Sequence, residues 1–203
     1  MDNEARMNET KDLLLSLLKS MGLTAHAIDT GVSMGMTIDQ GMFASVRMYP
    51  EFFNRMLTIM VEPVDVDKKS RMLVPEDRRE RLALALTRLN LRMQPMMQFR
   101  FDLDDGQLIM LSNVRLPHAD DDPTEVETTF SLNVLSVLKT YEVLWKGLKK
   151  MLDEDGEFTS EQASDLWGRS QLPLAELATG LLMKYVTDRL GIKAEGDDDS
   201  DAQ

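Results

Sequence analysis

An α+β fold built on an antiparallel sheet is what this sequence predicts, and three features predict it. Met97, Phe99, Phe101 and Leu103 alternate with Gln98, Arg100 and Asp102, the period of a strand buried on one side. Asp105-Gly106 follows, a dipeptide suited to the positive φ values of a tight hairpin, and a second run from Gln107 to Leu116 returns. On either side of this hairpin lie stretches whose apolar residues recur every three or four positions, as one face of a helix requires.

Read from the N-terminus, ETKDLLLSLLKSM at 9–21 puts Leu14, Leu17, Leu18 and Met21 on one helical face, with Gly22 where a left-handed terminator is expected. Three antiparallel strands are expected near 24–38, 42–49 and 55–64, from alternation such as Phe43, Ser45, Arg47, Tyr49 and from the β-rich run Met56–Val61, punctuated by Gly31, Gln40-Gly41 and Pro50. Pro75 with Glu76 and Asp77 marks a helix start, because proline presets φ and the acids face the positive end of the helix dipole. That second helix runs to about Met93 with the stripe Leu82, Ala85, Leu86, Leu89 and Met93. After the hairpin and the loop PHADDDP, Thr124 and Glu127 read as a T-x-x-E capping box opening a long helix through Phe130, Val134, Tyr141, Trp145 and Leu148. The expected order is α-β-β-β-α-β-β-α over residues 1–152, taken as one domain. A helical extension at 153–191 is expected as two stretches, about 160–168 and 174–190. The second carries Leu174, Leu177, Leu181, Tyr185 and Val186 roughly on one face. In the acidic tail, 192–203, the final EGDDDSDAQ offers no apolar side chain able to order it, so disorder is expected there.

This order, with the hairpin FRFDLDDGQLIMLSNVRLP, the preceding LTRLN at 86–90 and the long helix ending in YEVLWKGLKKML, resembles the YbjN family of bacterial proteins, described as sensory transduction regulators. The resemblance spans roughly 9–152. It implies a fold like that of the type III secretion chaperones, a cytoplasmic helix-sheet-helix sandwich that often dimerises, and a role in binding or regulation. It supplies no active-site residues. Leu91 to Met96, less polar than expected after the LN pair, and everything beyond 152 depart from it.

Composition removes several function classes. The 203 residues contain no cysteine, which excludes disulfides, thiolate metal sites and cysteine nucleophiles. The formal charge of −12 opposes general nucleic-acid binding, which needs a cationic surface to displace counterions. From Asp153 onward there are 13 acids against 4 bases, so the acidity belongs mainly to the C-terminal region. The N-terminus MDNEARMNET has no secretory pattern, and the longest apolar run, Leu13–Leu18, is broken by Ser16, so neither export nor membrane spanning is expected.

Candidate chemistry is sparse. His26 and His118 are the only histidines, one on an expected strand and one in an acidic loop, so neither a His-based triad nor a multi-histidine metal site is assembled from them. No glycine-rich phosphate loop is present. Asp153, Asp155 and Gly156 read as part of a calcium loop, but Met151 and Gln162 fall where its first and twelfth oxygen ligands belong. Thr159 and Gln162 read instead as a T-x-x-Q cap. Asp102, Asp104 and Asp105 are a carboxylate cluster, at a place where a hairpin turn wants acids anyway.

Two features point to binding. Arg78, Arg81, Arg88 and Arg92 fall along one side of helix two, beside Leu89 and Met93 of its stripe, with Lys68, Lys69 and Arg71 on the approach. Either their stems cover apolar edge while the heads stay wet, or they form a dock for an acidic segment, the chain's own tail or a partner's. Of 16 methionines, 11 lie between Met34 and Met110, filling gaps in the core or lining an adaptable face. The expectation is a non-enzymatic protein-binding module, chaperone-like or a regulatory adaptor. It would have no cofactor, metal or membrane partner, would bind another protein or peptide segment, and would form a homodimer through apolar residues of helix two or the adjacent hairpin. An enzyme of unrecognised type and a nucleic-acid-linked regulator using the helix-two arginines are the alternatives.

Overall fold

The computed structural model of the chain describes residues 3–39, 42–65, 70–93, 97–118, 120–153 and 158–190. Its elements run α1 (Asn3–Ser20), β1 (Ala25–Ile28), β2 (Gly31–Asp39), β3 (Met42–Glu51), β4 (Met56–Asp65), β5 (Ser70–Arg71), α2 (Glu76–Asn90), β6 (Met97–Phe101), β7 (Leu108–Arg115), α3 (Pro123–Asp153) and α4 (Ser160–Leu190). The α+β class and the helix-strand order are those the sequence predicts. Two details are finer: the expected strand at 24–38 folds back at Asp29-Thr30 into β1 and β2, and the two-residue β5 joins the sheet.

The strands form one antiparallel sheet in the order β1-β2-β3-β4-β7-β6, with β5 beside the far end of β4. Successive cross-strand rows have opposite characters. The row Ala27, Val32, Met48, Ile59, Ser112, Met97 has its four central members buried. The next row, His26, Ser33, Arg47, Met60, Leu111, Gln98, has none buried. Side chains alternate across a strand, so the first row belongs to the face on which the helices pack and the second to an open face. The core joins Leu14 and Leu18 of α1, Leu82, Leu86 and Leu89 of α2, and Phe130, Tyr141, Trp145 and Leu148 of α3 to Val46, Ile59, Val61 and Met110 of the sheet. Met34, Met48, Met93 and Met110 are buried in that core. At these positions methionine fills gaps between helix and sheet, while Met60 stands on the open face.

Helix ends are set by local chemistry. Gly22 at φ 75° ends α1 as expected: its N–H and that of Leu23 donate to the Lys19 and Leu18 carbonyls, the paired bonds of a Schellman cap. The start of α3 corrects the sequence reading. Asp122, not Thr124, is the cap, its Oδ1 accepting from the Thr124 and Glu125 N–H groups at 3.0 Å, with Pro123 as first helical residue. Thr159 and Gln162 do form the expected reciprocal cap of α4, at 2.7 and 3.2 Å. Where two helices were expected, α4 is continuous through Pro173. Phe158, Ala163, Leu166 and Ser170 are buried up to that point and anchor the helix, so the one N–H that proline removes does not break it. At Gly147 α3 and α4 approach closely: a Cβ there would sit 2.4 Å from Leu166 Cδ1. The expected tail lies outside the described residues, as do Gln40-Gly41.

Candidate functional site

The arginine row of α2 meets the chain itself. Arg78 Nη1 pairs with Asp153 Oδ1 at 3.2 Å, Arg81 Nη2 donates to the Met151 carbonyl at 2.6 Å, and Arg88 donates to the Phe158 carbonyl. These groups bracket the end of α3 and the start of α4, where unpaired carbonyls and the negative end of the α3 dipole favour cations. Arg92 is exposed beyond the end of α2. Lys68 and Lys69 lie outside the described residues. Leu89 is fully buried and Met93 nearly so, both in the core. The apolar side chains that α2 turns outward are Leu84, 47% exposed, and, just past its end, Leu91, 80% exposed.

The LTRLN segment has a definite task. Asn90 Nδ2 donates to the Phe99 carbonyl at 2.9 Å while its Oδ1 accepts from the Phe99 N–H at 2.8 Å. The amide thereby takes the place of a neighbouring strand on the free edge of β6, satisfying backbone groups that would invite another chain to pair.

The other candidates are local. His118 Nδ1 lies 3.3 Å from Asp120 Oδ2 and accepts from the Asp120 N–H, inside one loop. Asp102 and Asp105 accept backbone N–H groups of Asp104 and Gln107 at 2.8 and 2.7 Å and shape the β6-β7 turn. Among the described residues no group of three or more histidines and carboxylates could hold a metal. Asp155 and Gly156 of the DEDGE loop lie outside them. No helix among the described residues is long and apolar enough to cross a membrane.

What remains is the open face of the sheet. Near β1 it sinks into a hollow of about 370 Å³ whose floor is the small residues Ser33, Gly35 and Ser45, with His26, Phe43 and Val64 around it. Beside the hollow Glu62 is 2% exposed. Gln107 Nε2 donates to its Oε1 at 2.6 Å, Arg71 Nε stands 3.5 Å from Oε1, and Arg47 Nη2 3.4 Å from Oε2. Two guanidinium groups thus share one buried carboxylate. Its charge reaches the core: burial first, and the Glu62 charge second, push the Tyr141 hydroxyl far above its usual range. On α3, partial burial would raise Glu142, but hydrogen bonds from Lys146 and Lys139 at 3.0 Å, with their charges, hold it below the usual carboxylate range.

Sequence reasoning did not single out Ser33 or Val64, and read Ser45 only as one member of a strand alternation. The alternation Phe43, Ser45, Arg47, Tyr49 carried the signal that these side chains share a face, without saying which face the helices cover.

No protein-family model and no curated protein matches the chain. A chain of the solved structure described as "Crystal Structure of the ExsC-ExsE Complex" is similar to it over 70% of this chain and 95% of that one, at 16% identity and a TM-score of 0.35. The YbjN resemblance rests on the sequence motifs alone.

Proposed function

We propose that the chain is a non-enzymatic protein-binding module, chaperone-like or a regulatory adaptor, which works in the cytoplasm and receives another protein or peptide segment on the open face of its sheet. One observation carries this reading. An antiparallel sheet can leave one face wet, but that face is then ordinarily polar. Here the uncovered positions include Tyr49, Met60, Val64, Ile109 and Leu111, half-buried, and Phe43, 37% exposed. Met60 and Leu111 are cross-strand partners, as are Phe43 and Val64, and apolar pairs left uncovered in this way suit an interaction site. A photo-crosslinking residue in place of Met60, followed by capture from the native cell and mass spectrometry, tests it. A reproducible protein crosslinked at that position supports the reading, and crosslinks no different from those of a probe at exposed Glu127 would sink it.

We also propose that the chain forms a homodimer through the outward side of α2 and the neighbouring hairpin, where Leu84, Leu91 and Leu103 are exposed. Kinship with the YbjN family is part of the same proposal; it is supported by LTRLN, whose Leu89 enters the core and whose Asn90 closes the β6 edge. The arginine row of α2 stays a proposed dock for acidic segments in narrower form, with Arg78, Arg81 and Arg88 now held by the chain's own α3-α4 connection and Arg92 exposed.

A further inference from the structure

We propose that the hollow beside β1 receives an extended acidic segment of a partner protein, with one apolar side chain seated over Gly35 against Phe43 and Val64 and a neighbouring carboxylate on Arg71. This deepens the proposal that the open face binds protein, and rests on it. The shape argument comes from Gly35. Its position in β2 faces the hollow, and a Cβ built there meets nothing within 4 Å. Ser33 lies two residues back along β2 and Ser45 directly across in β3, so three adjoining small floor positions leave a depression in the open face. The hollow, about 370 Å³ and open to solvent, has apolar walls that suit an aliphatic or aromatic side chain.

Charge selects the neighbour of that side chain. The described open-face positions of the strands carry Arg47, Arg71, Arg100 and Arg115 against Glu51 and Glu62, in a chain whose net charge is −12. Glu62 is buried between Arg47 and Arg71, so one carboxylate serves two cations, and the Arg71 side chain is still 53% exposed. A second carboxylate arriving over the hollow completes the pairing. Nucleic acid would bring phosphates to the same arginines, but the hollow presents no row of aromatic rings on which bases could stack.

The test uses the full chain and two fluorescein-labelled hexapeptides. One has Phe-Leu flanked by pairs of aspartate and glutamate, the other Phe-Leu flanked by lysines. Anisotropy titrations are run against wild type, Gly35→Leu and Arg71→Gln, with melting temperatures as the folding control. The acidic peptide is expected to bind wild type, to lose at least tenfold in affinity with Gly35→Leu and several-fold with Arg71→Gln, and to weaken at 0.5 M salt, while the basic peptide does not bind. Equal binding of both peptides, no binding of the acidic one, or unchanged binding to a folded Gly35→Leu variant overturns the proposal. If Gly35→Leu lowers the melting temperature, Arg71→Gln decides. Crosslinked partner still captured at the Met60 position by Gly35→Leu means that protein binding survives and only the hollow assignment falls. Loss of that capture in wild type removes the broader reading.

Discussion

Tyr141 carries a hydroxyl that gains nothing from its position. The side chain is fully buried, stacked on Trp145 at 6.4 Å between ring centroids, and its oxygen has no hydrogen-bond partner among the described residues. A buried hydroxyl without a partner costs about 1–3 kcal/mol, so Tyr141→Phe is expected to leave stability unchanged or raise it by about 1 kcal/mol, read from urea denaturation. The same residue gives a pH signature. Its folded-state pKa is raised, so its contribution is intact below the ordinary value of 10.0 and is lost as pH rises above it, where only the unfolded chain ionises. Wild-type stability should therefore fall above pH 10 more steeply than that of Tyr141→Phe, and parallel curves would refute the assignment. Glu142 acts in the opposite direction: its lowered pKa gives stability that is present above its unfolded value and fades as pH falls through the folded one. Tyr141 was visible in the sequence only as a member of an amphipathic helix, because the charge near it comes from β4, whereas the Glu142 pairs sit at i,i+3 and i,i+4 on one helix.

Elements were more legible than their junctions. The stripe Leu82, Ala85, Leu86, Leu89 and the alternation Met97 to Phe101 depend on repeat alone, and the structure buries the side each predicts. The α3 cap misled because Thr124 and Glu127 match a capping box while Asp122, two residues earlier, competes for the same N–H groups and wins with a charge and a following proline. The partners of Asn90 and Arg88 were invisible for another reason: they are backbone atoms of Phe99 and Phe158, which no residue pattern marks. Asn90→Ala strips both groups of Phe99 of their partner and is expected to cost about 1–3 kcal/mol, with Asn90→Asp, which keeps only the acceptor, also destabilising. A melting temperature equal to wild type would show the edge clamp to be dispensable. For the α2-α4 clasp, Arg88→Met keeps the apolar stem and removes the donor. Amides of 160–170 should then exchange faster with solvent while those of β3 and β4 do not, and uniform protection would contradict the clasp.

At the scale of the whole molecule, the proposed homodimer separates Leu91 from Leu89. Leu91 is 80% exposed, so Leu91→Asp should leave circular dichroism unchanged and shift sedimentation toward a 23.1 kDa species. Leu89→Asp would bury an unpaired carboxylate and should unfold the chain. Sedimentation of wild type at micromolar concentration as a 23.1 kDa species alone would reject the dimer. The open face was the least legible part of this molecule. Strand alternation gives two sets of side chains, and both sets here include methionine, leucine or valine, so only the tertiary placement of α1 and α3 decides which set stays in water.

Chain order in the sheet also has a consequence for how the protein is made. β4 finds β3 at once, but the neighbour on its other side is β7, and Val61 meets Met110 only after about fifty further residues and the whole of α2. At a ribosomal pace of about 5–20 residues per second, the run MLTIMV at 56–61 spends on the order of seconds as an unpaired edge. It contains no proline and no charge, the profile of a segment that pairs with other nascent chains. Yield in the cell should then depend on translation speed between Asp65 and Leu108 and on holdase chaperones more than on the stability of the finished fold, because the vulnerable interval closes before that stability exists.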